Sequence, residues 1–185
     1  AKLRQRFAGR RVIGHIGALV DRHKGQRVLL EAARQLRETH PDACFLLLGD
    51  GADGEALKAE SADLDNVIWE GFQPNVGDYL EIMTLFAFPS RNEGLGSTLL
   101  DAMDHGVPIV ASDVDGIPDL IEDDVSGLLV PPGDAEALAT ALMALLEDPE
   151  RSRRLATAAG QRLADFTPEA MAAAYLALYR RLATR

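Results

Sequence analysis

Val12-Ile13-Gly14-His15-Ile16 and Cys44-Phe45-Leu46-Leu47-Leu48 are two short runs dominated by apolar side chains, and what separates them decides the fold. Between them, residues 25–39 carry Val28, Leu29, Ala32, Ala33 and Leu36, the three-and-four spacing of one helix face. A strand with one face in water alternates apolar and polar residues, whereas a continuous apolar run fits a strand covered on both faces. Strand, helix and strand in that order make a right-handed βαβ unit with parallel strands.

The same alternation runs outward from this unit. Residues 54–62 read as a short helix, 66–69 as a strand, 76–83 as a helix and 85–88 as a strand. A helix over 97–105, a strand over 108–111, a short helix over 117–122 and a last strand over 128–130 follow. The C-terminal third is helical: Asp134 is placed as an N-cap, and Leu138, Leu142 and Leu145 form a stripe that ends at Pro149. A second helix covers about residues 150–163. The last starts with Thr167 as N-cap and Pro168 in the first turn, with Met171, Tyr175, Leu178 and Leu182 as its apolar face. The expected fold is α/β: a Rossmann-like, doubly wound parallel sheet of about six strands with a helical C-terminus, residues 1–185 forming one domain.

Composition narrows the function. At 185 residues, with 47% hydrophobic and 26% charged side chains, the chain can bury a full core. No run reaches the roughly 18 apolar residues of a membrane span, and the start has no signal-peptide pattern. The sequence opens with Ala1 and not Met, as expected of an excised fragment or a processed product. A lone cysteine, Cys44, leaves no disulfide framework and fits a small core residue in a reducing, cytoplasmic setting. A formal charge of −10 argues against nucleic-acid binding, which rests on phosphate neutralisation. A small phosphorylated ligand, held by a few local groups, is compatible with it.

The stretch richest in chemistry is Pro89-Ser90-Arg91-Asn92-Glu93-Gly94-Leu95-Gly96-Ser97-Thr98-Leu99-Leu100-Asp101-Ala102-Met103. It follows a strand and opens a helix, so it falls at the carboxyl edge of the sheet. Gly94 and Gly96 allow close backbone approach, and the first-turn N–H groups near Ser97 and Thr98 suit a phosphate. Glu93 and Asp101, one before the helix and one inside it, would accept hydrogen bonds from hydroxyls on either side of that phosphate. Equally, from spacing alone, Glu93 serves the helix dipole and Asp101 is a solvated helix residue. A second stretch, Gly14-His15-Ile16-Gly17-Ala18-Leu19-Val20-Asp21-Arg22-His23-Lys24-Gly25, clusters Arg22, His23 and Lys24 within an acidic chain. Those cations either neutralise a diphosphate leaving group or are ordinary solvated loop charges.

The first of these segments resembles the signature of family 4 retaining glycosyltransferases of the GT-B fold, which carry Glu, seven residues, then Glu near the donor site. The likeness extends through residues 104–112, Gly116-Ile117-Pro118-Asp119-Leu120-Ile121, and Gly127-Leu128-Leu129-Val130-Pro131-Pro132-Gly133-Asp134, in order and over most of the chain. It implies the C-terminal, donor-binding lobe, with a nucleoside diphosphate sugar as substrate and no cofactor or metal. By the resemblance, Glu93 faces the donor sugar and Asp101 the ribose. Asp is shorter than the family's Glu by one carbon–carbon bond, about 1.5 Å. Lys24 matches the family's lysine. The family's arginine position falls on Ala18, with Arg22 as the substitute four residues on. Gly17, Gly94, Gly96, Ser97 and Thr98 join the donor-binding set, and Phe72, after a strand, lies where the family holds the base. From its position Phe72 reads equally as a core anchor.

The resemblance further implies transfer of a hexose-type sugar to an acceptor hydroxyl with retention. It makes an N-terminal, acceptor-binding lobe the missing partner, towards which a helix over residues 165–185 would pack. Peripheral membrane association of the full enzyme stays open. So do two other classes, a nucleotide-sugar epimerase of GT-B shape and a non-catalytic nucleotide-binding module. Gly49-Asp50-Gly51-Ala52-Asp53-Gly54 spells a dinucleotide fingerprint, with Glu70 about twenty residues later. Asp50, Asp53 and Glu55 crowd the place of a pyrophosphate, so a tight turn at the rim of the cleft is expected there. No His or Cys spacing suggests a metal site.

Overall fold

A computed structural model describes residues 2–183. Six parallel strands form one sheet: β1 (Arg11–Ile16), β2 (Ala43–Leu48), β3 (Val67–Gly71), β4 (Leu85–Phe88), β5 (Ile109–Ser112) and β6 (Leu128–Val130). Their spatial order is β3-β2-β1-β4-β5-β6. The chain winds outward from β1 to β3, then returns to β1's other side and winds outward again. This reversal between β1 and β4 opens a crevice at their carboxyl ends, where the connections depart in opposite directions.

Alternate side chains of each strand feed two cores, as expected of strands buried on both faces. Ile13, Phe45, Leu47, Leu85 and Val110 pack with Val28, Leu29 and Leu36 of α3 (Gln26–Thr39) and Leu138, Leu142 and Leu145 of α8 (Ala135–Glu147). On the other face Val12, Leu46, Leu48, Phe86 and Ile109 meet Leu99, Ala102 and Met103 of α6 (Ser97–Asp104) and Leu120 of α7 (Ile117–Leu120). Cys44 is a free, buried member of that second core, and burial pushes its thiol pKa up.

Shorter helices fill the remaining connections: α4 (Gly54–Glu60) and α5 (Gly77–Leu80). The helix expected over 76–83 is thus a single turn. Two further turns were not foreseen, α1 (Lys2–Arg6) and α2 (Asp21–Lys24). Neither has an apolar period of its own; α1 is tied to the body by Arg4–Glu81 and Arg6–Glu70 ion pairs. Asp134 caps α8 by accepting from Ala137 N at 2.9 Å, and Asp148 caps α9 (Pro149–Arg162) in the same way.

The last helix, α10 (Pro168–Ala183), begins as expected, with Thr167 Oγ1 accepting from Ala170 N at 3.1 Å. None of its residues is buried, and its apolar face, Met171, Tyr175, Leu178 and Leu182, is exposed together with Leu176 and Tyr179. Residue 1 and residues 184–185, the outer limits of the expected domain and of its final helix, lie outside the described residues. Because α10 gives nothing to either core, removing residues 168–185 should change the unfolding free energy of the isolated chain by under about 1 kcal/mol, whereas Leu47→Ala should cost about 2–5 kcal/mol. Urea unfolding of the two variants checks this, and equal losses would contradict it.

Candidate functional site

Two adjoining clefts occupy the crevice above β1 and β4. The larger, of about 590 Å³, is lined by Ile16, Gly17, Ala18, Leu48, Gly49 and Phe72, among others, and is mostly apolar. The second, of about 460 Å³, is lined by Ala18, His23, Lys24, Glu93, Gly94 and Asp115, among others. Ala18 belongs to both.

Lys24 and Glu93 form an ion pair in the second cleft, with side chains 22% and 13% exposed. The Glu93 carboxylate also accepts from Ser90 Oγ at 3.3 Å and from Gly94 N at 3.2 Å. The backbone N–H of Glu93 donates to Asp115 Oδ2 at 2.8 Å, so the following loop fixes the acid's position. Asp115 takes a left-handed conformation, φ +49°, to present that carboxylate. Lys24 Nζ lies 5.3 Å from the Phe88 ring centroid, close enough for a cation–π attraction. The ammonium is therefore held between a carboxylate and a ring face, partly shielded from water.

Two glycines allow close backbone approach around the clefts. Gly25 has φ +66°, and a Cβ there would come within 2.1 Å of the Pro89 carbonyl oxygen. The turn carrying Lys24 thus lies directly on the loop carrying Glu93, and His23 O receives Arg91 N at 2.7 Å. Gly49 has φ +137°, and a Cβ there would be 1.9 Å from Gly17 O. Leu19 N donates to Asp50 O and Asp53 N to Leu19 O, each at 3.0 Å. Gly49 and Gly51 of the fingerprint-like turn are therefore occupied by backbone packing against the β1 loop, as in the tight rim turn expected.

Beneath the clefts lies a buried polar pair. His15, fully buried, donates from Nδ1 to Ala87 O at 3.1 Å, which leaves Nε2 to accept from Gln26 Nε2 at 3.3 Å. Gln26 Nε2 also donates to Ala18 O at 2.9 Å, tying this pair to the residue common to both clefts. Burial pushes the His15 pKa down to about 4, so the ring is neutral near pH 7.

Gly17, Lys24, Glu93, Gly94 and Phe72 are thus brought to the clefts. Phe72 is 72% exposed at the rim of the larger one, so it anchors no core. Gly96 (φ +71°) adjoins Glu93 and opens α6, where Ser97 is exposed and Thr98 half-buried. Those two residues and Asp101, exposed farther along α6, stand outside the lining of both clefts. Arg22 is exposed on α2 and also lines neither, while Ala18 sits at their junction. Sequence reasoning missed the hydrogen bond from Glu93 N to Asp115, and it gave no role to Ser90 or Gln26. Their functions depend on backbone approach that residue types alone do not disclose. Among the described residues, no group of three or more His, Cys, Asp or Glu is arranged to hold a metal ion.

Together the fold and clefts define an open parallel α/β domain with its clefts where the strand order reverses. The pattern of the family Glycosyl transferases group 1 matches residues 10–148, and the chain belongs to that family. It is 34% identical over 163 residues to the alpha-D-kanosaminyltransferase of Streptomyces kanamyceticus, covering 84% of this chain and 42% of the relative. It is 32% identical to the GDP-mannose-dependent alpha-(1-6)-phosphatidylinositol monomannoside mannosyltransferase of Mycolicibacterium smegmatis, covering 85% and 45%. Among solved structures, Anabaena HepE in complex with UDP and glucose superposes with a TM-score of 0.79 at 29% identity, over 86% of this chain and 45% of that one. The C-terminal domain of LpcC from Francisella tularensis shares the fold, with a TM-score of 0.80 at 23% identity over 90% and 91% of the two chains. The chain spans less than half the length of the two curated relatives.

Two outcomes test this geometry. Gly25→Ala should destabilise the chain by about 2 kcal/mol or more, through both the positive φ and the contact with Pro89; an unchanged melting temperature would refute the close approach. His15 is neutral in the fold and has its ordinary pKa of 6.5 when unfolded. The unfolded chain therefore binds more protons between about pH 6.5 and 4. Stability present above pH 6.5 should fall across that window by up to about 3 kcal/mol. Urea unfolding at stepped pH should show this slope in the wild type and a shallower one in His15→Phe.

Proposed function

We propose that this chain is the donor-binding domain of a glycosyltransferase that moves a hexose-type sugar from a nucleoside diphosphate to an acceptor hydroxyl, with retention of configuration. The observation that carries the reading is the Lys24–Glu93 pair set beside a larger apolar cleft, with one residue common to both spaces. An apolar slot with Phe72 at its mouth suits a base. A cation suits a diphosphate and a carboxylate suits sugar hydroxyls. HepE, similar in fold and sequence, binds UDP and glucose, which supports the same class of ligand here.

In this reading Lys24 and the start of α6 stabilise the negative charge that builds on the departing diphosphate. Ala18 supplies no charge where the family has arginine, so Lys24 has the larger share. Glu93 accepts hydrogen bonds from the sugar hydroxyls and favours positive charge developing on the ring. Asp101 meets the ribose when the donor lies against α6, and Arg22 adds a more distant positive potential. The reaction uses no metal and no cofactor. An acceptor-binding lobe in the longer protein completes the site, and the exposed apolar face of α10 packs towards it. No described helix is long and apolar enough to cross a membrane. We place the protein in the cytoplasm, with peripheral contact to a membrane where the acceptor is lipid-linked.

Thermal unfolding of the isolated chain with UDP, GDP, ADP and NAD tests the reading. A ligand present at 100 times its dissociation constant adds about 2.7 kcal/mol, roughly 5–10 °C for a chain of this size. One or more of the nucleoside diphosphates should raise the melting temperature while NAD does not. A rise with NAD alone, or with none of the four, would overturn the proposal.

A further inference from the structure

The turn that delivers Lys24 is a helix of one turn, and a single turn does not hold itself. Its N-cap, Val20, offers no side-chain acceptor. What fixes it is Asp21, buried with its side chain only 11% exposed and outside both clefts. The two carboxylate oxygens of Asp21 accept from Arg27 N at 2.7 Å and from Arg27 Nη1 at 2.9 Å. The Asp21 N–H donates to Asp53 Oδ2 at 2.8 Å. Arg27 is in turn gripped by both carboxylate oxygens of Glu60 on α4, at 2.7 Å each. At the far end of the turn Gly25 N donates to Asp21 O at 2.8 Å, and Lys24 N to Val20 O at 2.9 Å.

A carboxylate taken out of water is costly unless it is paired and hydrogen-bonded, and Asp21 is both. Its partners come from three directions: the start of α3, the rim turn before α4, and its own helical turn. The geometry points to Asp21, clamped by Arg27, as a positioning residue that sets where Lys24 meets the diphosphate. This rests on the donor-binding reading and adds to it. Asp21 touches no ligand; it acts through Lys24. A purely structural cap of α3 would affect every ligand alike, whereas positioning of Lys24 affects only the phosphate-dependent part of binding.

The test uses the isolated chain and compares each nucleoside diphosphate, UDP, GDP or ADP, with its own nucleoside by calorimetric titration. In the wild type the diphosphate of the preferred base should bind more tightly than the nucleoside, and that ratio is the readout. Asp21→Asn should lower the ratio by about tenfold while leaving the nucleoside affinity within about twofold. Lys24→Gln should lower it similarly, and the double variant no further than either single change, because both act through one ammonium. Arg27→Gln, at a partly exposed position, loosens the same clamp and should shift the ratio in the same direction if Asp21→Asn fails to fold. An unchanged ratio in Asp21→Asn, or in Arg27→Gln where the first does not fold, or losses that add to that of Lys24→Gln, would overturn the positioning role. A wild-type ratio of one for all three bases would instead overturn the donor-binding reading.

Discussion

Backbone lies against backbone at the carboxyl edge of this sheet, with no room for a Cβ between the layers. Gly25 rests on Pro89 O, Gly49 on Gly17 O, and Gly116 on Gly94 O, where a Cβ would come within 2.1, 1.9 and 2.3 Å respectively. These three approaches draw the loops after β1, β2, β4 and β5 into one body. Without them the reversal of strand order would open a shallow furrow lined by loops at independent heights. With them the loops share a floor, and Lys24 from one connection reaches Glu93 from another. The close approaches are local in sequence cost, three glycines, but their effect is tertiary: they convert a general property of the fold into a particular arrangement of charges.

The charges are used sparingly. In a chain of formal charge −10, most arginines near the sheet's periphery are engaged with carboxylates: Arg6 with Glu70, Arg11 with Asp42, Arg27 with Asp21 and Glu60, Arg151 with Asp124. The Arg11 guanidinium holds Asp42 below the usual carboxylate range, and Arg151 does the same for Asp124. The exposed ones among them, such as Arg11–Asp42 and Arg151–Asp124, contribute little stability singly. Their consequence for the clefts is that the general field is acidic, so that any anion entering them would be met by groups placed one at a time. That is why the placement of a single ammonium matters more here than it would in a basic protein.

Most strands were legible because an apolar run covered on both faces needs no partner to be recognised, and β4 and β6 begin and end where their side chains change character, whereas the half-buried edge strand β3 runs two residues past the stretch read from its side chains. α3 was legible for a similar reason, since its stripe from Val28 to Leu36 repeats at the helical period. The one-turn α2 was not, because Asp-Arg-His-Lys has no apolar face and owes its shape to a left-handed glycine and a buried carboxylate partner. Glu93 and Lys24 were singled out from motif and resemblance, and the structure brings their side chains together. Asp115 and Ser90, which hold Glu93, escaped because a carboxylate in a turn and a serine after a strand have many uses. Phe72 shows the opposite limit: a large aromatic after a strand reads as readily as a core anchor, and only its exposure distinguishes a rim from an interior.

Ala18 has a consequence of its own. This one small residue forms part of the wall of both clefts, and its carbonyl is pinned from below by Gln26. A larger side chain there would intrude on both spaces in one step, so neither can be reshaped at this position independently of its neighbour. The residue is in that sense pleiotropic: one substitution alters the shape of two spaces. The outer rims carry no such coupling, since Phe72 and Asp115 each border a single space.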